Sequence, residues 1–255
     1  MSNQARVPGI CSHRFRVAGA KAAPENTIEA CGRAVEAGFL IFETDVRRTK
    51  DGVLVVFHSD GLEETTNGEG SVGEITHEEL KKLSAGIRWG QEFASERVPT
   101  LHQLLEFIAA RNHAVLHLEL KNQPHPYPGF EDDVIRELQS YSGKVVLSSF
   151  DHAILQRIKS KAPQYPTAFL GNSLFFNVGA YAKTLGASAW HPEFSSLTAD
   201  AVKEAHAAGL EVNTGTVNTE TNLLRAAEYG VDNVITDFPV LARRIYQELG
   251  QAWPP

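Results

Sequence analysis

The chain has 255 residues, 42% hydrophobic and 22% charged, with a formal net charge of −7. Its length suits one large α/β domain with a well-buried core, or two small ones. The acidic balance argues against a broad nucleic-acid or anionic-membrane surface, so an anionic small-molecule substrate would have to be drawn in by local cations or a bound metal.

In chain order, apolar strand-like runs alternate with segments of helical period. Strands are predicted over 9–13, 40–45, 114–121, 144–149, 166–170, 188–191, 210–214 and 232–236. Helices are predicted over 25–37, 100–111, 130–141, 152–161, 178–185, 199–208, 220–228 and 240–249. Pro24 suits the start of the first helix, and Gly38, Gly209 and Gly230 suit helix ends. Eight strands, each followed by a helix, point to a closed (β/α)8 TIM barrel, whose usual size is about 250 residues. An open doubly wound sheet is the alternative, but residues 9–19 lack the Gly-rich phosphate turn it usually carries. The expected organisation is a single domain over 1–255, interrupted after the second strand by a small insertion at about 59–98. An extra short strand at 53–57 leads into that excursion, and a short helix is expected at 76–83.

Polar chemistry collects at the predicted strand ends. Glu43 and Asp45 are two residues apart and share a face, while Phe42 and Val46 occupy the other. Glu119 and Lys121 share a face opposite Leu116, Leu118 and Leu120. In a barrel the apolar side meets the helices and the polar side points inward at the mouth, where the active sites of such barrels are built. Three carboxylates meeting there would repel strongly without a counter-charge. A hard cation with oxygen ligands resolves this, so Mg²⁺ or Ca²⁺ suits the set better than zinc.

Most of the ten histidines read as surface or packing residues. That covers His77, His102, His113, His125, His152 and His206; His117 reads as barrel filling, and His191 is left open. His13 and His58 differ because both fall at the mouth beside the acids, where two histidines flanking a phosphorus can divide acid and base duties. The fork of Arg14 suits phosphate oxygens. Lys121 adds a point charge that can serve either phosphate or the neighbouring acids.

His13-Arg14, Pro24-Glu25-Asn26-Thr27, Glu43-Thr44-Asp45-Val46, Thr49-Lys50-Asp51-Gly52, Val55-Val56-Phe57-His58 and Glu119-Leu120-Lys121 occur in an order and spacing that closely resemble the glycerophosphodiester phosphodiesterases. Thr65-Thr66-Asn67-Gly68, Ser148-Ser149-Phe150 and the run from Gly230 to Pro239 extend the likeness over nearly the whole chain. The resemblance implies a (β/α)8 barrel and hydrolysis of glycerophosphodiesters to glycerol 3-phosphate and an alcohol. It implies Glu43, Asp45 and Glu119 as ligands of a divalent cation, His13 and His58 as the acid/base pair, and Arg14 and Lys121 as substrate contacts; for Glu25, which lies in the matching Pro24-Glu25-Asn26-Thr27 run, we expect a supporting role. The chain departs from the family pattern at Phe15 (usually Gly), Ser59 (usually Asp), Glu64 (usually Arg) and Gly215 (usually Trp). These changes touch substrate identity more than chemistry.

A lysophospholipase D-like enzyme acting on acylated diesters is the rival reading, with Phe15, Phe175, Phe176 and Trp190 as candidates for an apolar mouth. A non-catalytic barrel binding a phosphorylated ligand is a third, but the loss of a ligand or histidine that would mark it is not seen. Cys11 and Cys31 are the only cysteines. Two buried thiols in a reducing cytosol fit them, and a disulfide framework is excluded by count. Residues 1–9 hold no apolar signal-peptide core, and no run approaches the roughly 18 apolar residues of a membrane span. A cytoplasmic protein is expected.

Overall fold

The computed structural model describes residues 7–19, 21–111, 114–124 and 126–249. Expectations that fell on residues 1–6, His113 and His125 lie outside these. Strands β1 (Gly9–His13), β2 (Ile41–Arg48), β4 (Val115–Leu120), β5 (Lys144–Ser149), β6 (Thr167–Gly171), β7 (Ala189–Pro192), β8 (Glu211–Thr214) and β9 (Asn233–Thr236) pair in parallel, neighbour to neighbour. Pairing of β1 with both β9 and β2 closes the ring. The chain forms a closed (β/α)8 barrel.

The extra strand β3 (Leu54–Val56) runs antiparallel to β2, pairing Val56 with Val46 and Leu54 with Arg48. This explains why β2 outruns its predicted end at residue 45. Above Glu43, β1 has turned away, and β3 satisfies the exposed edge that remains.

Helices α1 (Ile28–Glu36), α3 (Leu101–Ala109), α4 (Phe130–Leu138), α5 (His152–Lys161), α6 (Val178–Leu185), α7 (Ala199–Ala207), α8 (Glu220–Tyr229) and α9 (Pro239–Glu248) return the chain between strands or follow the last one. The excursion carries the one-turn helix α2 (His77–Leu80). Most starts are set by a side-chain cap: Thr27, Thr76, Thr100, Asp151, Asn177, Thr198 and Thr219 each accept from a backbone N–H of the first turn. The first helix begins three residues later than predicted. Pro24 belongs to a turn, in which the Thr27 hydroxyl donates to the Pro24 carbonyl at 2.7 Å and Asn26 takes a φ of 56°.

Strand alternation sorts the side chains as expected. Phe42, Val46, Leu116, Leu118 and Leu120 join the main apolar core between strands and helices. The barrel interior is more polar. His117 and His191 pack ring against ring at 5.3 Å, the Asn213 amide lies 3.1 Å from His191 Nε2, and Asn233 donates to Asn213 at 2.6 Å. His117 thus fills the barrel, and His191 joins it there. A second, separate apolar cluster of Val55, Phe57, Leu62, Val72, Leu80, Ala85 and Val98 holds the excursion together. No helix among the described residues is long and apolar enough to cross a membrane.

Candidate active site

The polar residues predicted at strand ends converge on the carboxyl-terminal mouth of the barrel. β1 ends in a sharp turn in which Arg14 and Phe15 both take positive φ, 52° and 63°. The Arg14 amide continues the strand pairing by donating to the Glu43 carbonyl at 2.9 Å. The turn sends Arg14 toward the acids and buries Phe15 completely against Phe42, ring centroids 5.4 Å apart.

Glu43, Asp45 and Glu119 each offer one carboxylate oxygen, and the three lie within 4.8 Å of one another. Adjacent strands in register impose this closeness, since Asp45 pairs with Glu119 across β2 and β4. Glu43 Oε2 is buried without a hydrogen-bond partner. Burial, then the neighbouring charges of Asp45 and Glu119, push the Glu43 carboxyl well above its ordinary pKa. Burial also raises Glu119, against the pull of Lys121. Asp45 goes the other way. Its burial is outweighed by Lys121 and Arg14, which hold it well below the usual carboxylate range. An orphaned buried oxygen and two acids whose charge is disfavoured by burial have the chemistry of cation ligands. A cation with oxygens at 2.3–2.6 Å spans donors up to about 5 Å apart, so the set fits a hard divalent ion.

Lys121 Nζ lies 2.7 Å from Glu119 and 3.2 Å from Asp45. Burial works against its charge, but Asp45 and Glu119 more than offset this and raise its pKa. Arg14 donates to Glu25 at 3.0 Å and its Nε sits 3.6 Å from Asp45. Glu25 also accepts from Arg16, so it holds both arginines from behind.

His13 and His58 reach the same cavity. His13 Nδ1 lies 2.6 Å from Asp237 Oδ1, and its Nε2 lies 3.7 Å from Glu43. A carboxylate only accepts, so Nδ1 carries the proton and Nε2 faces the acids. Burial lowers the His13 pKa, and the bond to Asp237 recovers only part of it. His58 is pushed down to about 3, first by burial. Its Nδ1 lies 3.2 Å from Ser59 Oγ, and Ser59 donates to Glu64.

Two further residues, with no role assigned from sequence, brace the site. Asp237 accepts from Arg16 at 2.6 Å and from Asn218 at 2.7 Å, which fixes the carboxylate that holds His13. Asn26 donates to Asp45 at 3.0 Å and accepts from Thr44 at 2.7 Å, bracing one acid of the triad. Their signals were present in Pro24-Glu25-Asn26-Thr27 and Thr236-Asp237-Phe238-Pro239.

A cavity of about 170 Å³ opens over His13, Arg14, Glu43, Glu119 and Lys121. It shares His58, Lys121, Phe150 and Asn172 with a neighbouring cavity of about 480 Å³ that runs past Ser59 and Glu64. The apolar mouth imagined from Phe15, Phe175, Phe176 and Trp190 is not built. Phe15 and Trp190 are fully buried, Phe175 packs against Tyr181 and Trp190, and Phe176 is fully exposed. Phe150 is the aromatic residue that lines both cavities. Gly215 and Thr216 form part of the wall, and a Cβ on Gly215 would meet that of Ile235 at 2.8 Å, so this backbone path leaves no room for a side chain there.

Residues 16–241 match the family model for the glycerophosphoryl diester phosphodiesterase family. A glycerophosphodiester phosphodiesterase from Caldanaerobacter subterraneus subsp. tengcongensis is 37% identical, over 90% of this chain and 94% of its own. One from Bacillus altitudinis is 34% identical, over 89% and 94%. The solved structure of an Oleispira antarctica phosphodiesterase, in complex with the product sn-glycerol-3-phosphate, superposes with a TM-score of 0.86 at 29% identity, covering 94% of this chain and 97% of that one. The chain belongs to the glycerophosphoryl diester phosphodiesterase family.

Proposed function

We propose that this member of the family hydrolyses glycerophosphodiesters to glycerol 3-phosphate and an alcohol, with Mg²⁺ or Ca²⁺ held by Glu43, Asp45 and Glu119. The observation that carries the reading is the meeting of three carboxylate oxygens within 4.8 Å, with a buried Glu43 oxygen that has no hydrogen-bond partner, beside two histidines and two cations. When bound, the ion neutralises phosphate charge and lowers the pKa of the attacking hydroxyl.

The chain's own residues supply the rest. Arg14, anchored by Glu25, and Lys121 offer positive charge to the phosphate oxygens, Arg14 as a planar fork and Lys121 as a point charge. His13 holds or moves a proton at Nε2, the nitrogen left free by Asp237. His58 faces the same cavity and acts as its counterpart in acid/base exchange. Asn26 keeps Asp45 turned toward the triad. The two connected cavities leave room for the two arms of a diester on either side of the phosphate. The substrate is a small molecule, and one barrel domain over 1–255 carries the whole site. Two buried free cysteines suit a cytoplasmic protein.

The test is release of glycerol 3-phosphate from glycerophosphocholine, with chelator and after adding back Mg²⁺ or Ca²⁺. Activity abolished by chelation and restored by either ion is expected. Full turnover in excess chelator, with no metal by elemental analysis, would overturn the metal assignment. No release from any glycerophosphodiester would overturn the activity.

A further inference from the structure

We propose that Ser59 and Glu64 are positioning residues for His58, forming a hydrogen-bonded relay that turns its Nε2 into the cavity. The inference rests on the reading of His58 as an acid/base group. His58 does not stand on a barrel strand. It follows β3 at the root of the excursion, where its carbonyl accepts from Arg47 Nε at 2.9 Å, which fixes the backbone but not the ring.

The ring is oriented through Ser59. The Ser59 hydroxyl has one proton, and it is spent on the acceptor-only carboxylate of Glu64. Toward His58 Nδ1, 3.2 Å away, that hydroxyl can therefore only accept. Nδ1 must carry the hydrogen, and Nε2 is left bare toward the cavity that His58 lines. Asp237 imposes the same tautomer on His13 by direct contact. On His58 the carboxylate acts from one residue further away, with a hydroxyl interposed.

Ser59 is buried, whereas Glu64 is exposed and has no lysine or arginine within ion-pair distance among the described residues. Its described side-chain hydrogen bond is the one from Ser59, so Glu64 acts on His58 by holding that hydroxyl rather than through its solvent-screened charge. A hydroxyl so held keeps the ring in one orientation, as hydrogen-bonded partners behind a histidine do elsewhere. Positions 59 and 64 are two of the departures noted in the sequence, and the structure joins them into one unit. The relay passes no proton onward. It fixes tautomer and orientation.

The experiment uses the full chain. Ser59→Ala and Glu64→Ala are each expected to lower kcat by about 10- to 100-fold with KM within about twofold, the scale of a misplaced catalytic group. Because both act through one contact, the double variant should be no worse than Ser59→Ala alone by more than about threefold. Ser59→Asp in the Glu64→Ala background, which brings a carboxylate directly to Nδ1, should recover most of the loss. Imidazole ¹⁵N spectra should show the Nδ1–H form of His58 in the parent and its loss in Ser59→Ala. That readout needs no activity, so a parent chain that hydrolyses no glycerophosphodiester would sink the functional reading while still testing the relay. An unchanged tautomer in Ser59→Ala, or losses in kcat that multiply in the double variant, would overturn it.

Discussion

His13 and His58 arrive at one cavity from unlike supports. His13 ends a barrel strand paired on both sides, and its ring is held by a carboxylate that itself accepts from Arg16 and Asn218. His58 stands on a loop beyond the barrel, and its ring is held through a hydroxyl by the exposed Glu64. The His13 ring is held by a carboxylate braced from two sides, whereas the His58 ring is held through one chain of side-chain hydrogen bonds. Strand register can deliver a cluster of three acids and one histidine, but the second histidine depends on how the excursion packs.

The largest effect should come from the part that both histidines serve. Replacing Glu43, Asp45 or Glu119 with Ala is expected to cut kcat/KM by about five orders of magnitude, equivalent to about 7 kcal/mol, and to abolish the rise in Tm on adding the ion. A variant that keeps both would remove that residue from the ligand set. His13→Ala and His58→Ala come next, each with an expected loss in turnover of about 10²–10⁴-fold. The double variant should lose less than the two penalties combined, because residues acting as one unit are not additive. Near-normal turnover in either single variant would strike that histidine from the mechanism.

Asp237→Asn sharpens the contrast between supports. His13, Arg16 and Asn218 all donate to its carboxylate, so an amide NH₂ either loses a partner or forces His13 into the opposite tautomer, with the proton on Nε2. A fall in kcat of about 10- to 100-fold is expected, with a larger effect than Glu64→Ala. Equal losses in steady-state assays would break the comparison. The smallest effect concerns barrel stability. Burial, reinforced by His117, holds His191 neutral well below its ordinary value. The unfolded chain takes up a proton at this position below about pH 6.5 and the folded one does not, so stability falls as pH drops through that value. His191→Gln should show a shallower decline of Tm between pH 7 and 5 than the parent, and an identical slope would remove His191 as its source.

The barrel was legible because both of its periods were. Alternation put Phe42 and Val46 on one side of β2 and Glu43 and Asp45 on the other, and polar side chains repeating at strand ends marked the mouth. Boundaries slipped where a distant partner decided them. β2 runs to Arg48 only because β3 pairs with it, and α1 waits for Thr27 because the preceding turn uses Pro24 and Asn26. Asp237 stands 224 residues from His13, and no local pattern links them. Aromatic placement was the weakest part, since hydrophobicity alone does not separate the buried Phe15 and Trp190 from the cavity-lining Phe150.

The excursion's separate apolar cluster has a consequence for heat inactivation. Seven buried side chains hold His58's segment together apart from the main core, so the excursion can open locally while the barrel remains folded. Catalysis would then fail at a lower temperature than the far-ultraviolet transition of the whole chain, and cooling from that interval would restore it. The enzyme would carry its own thermal fuse.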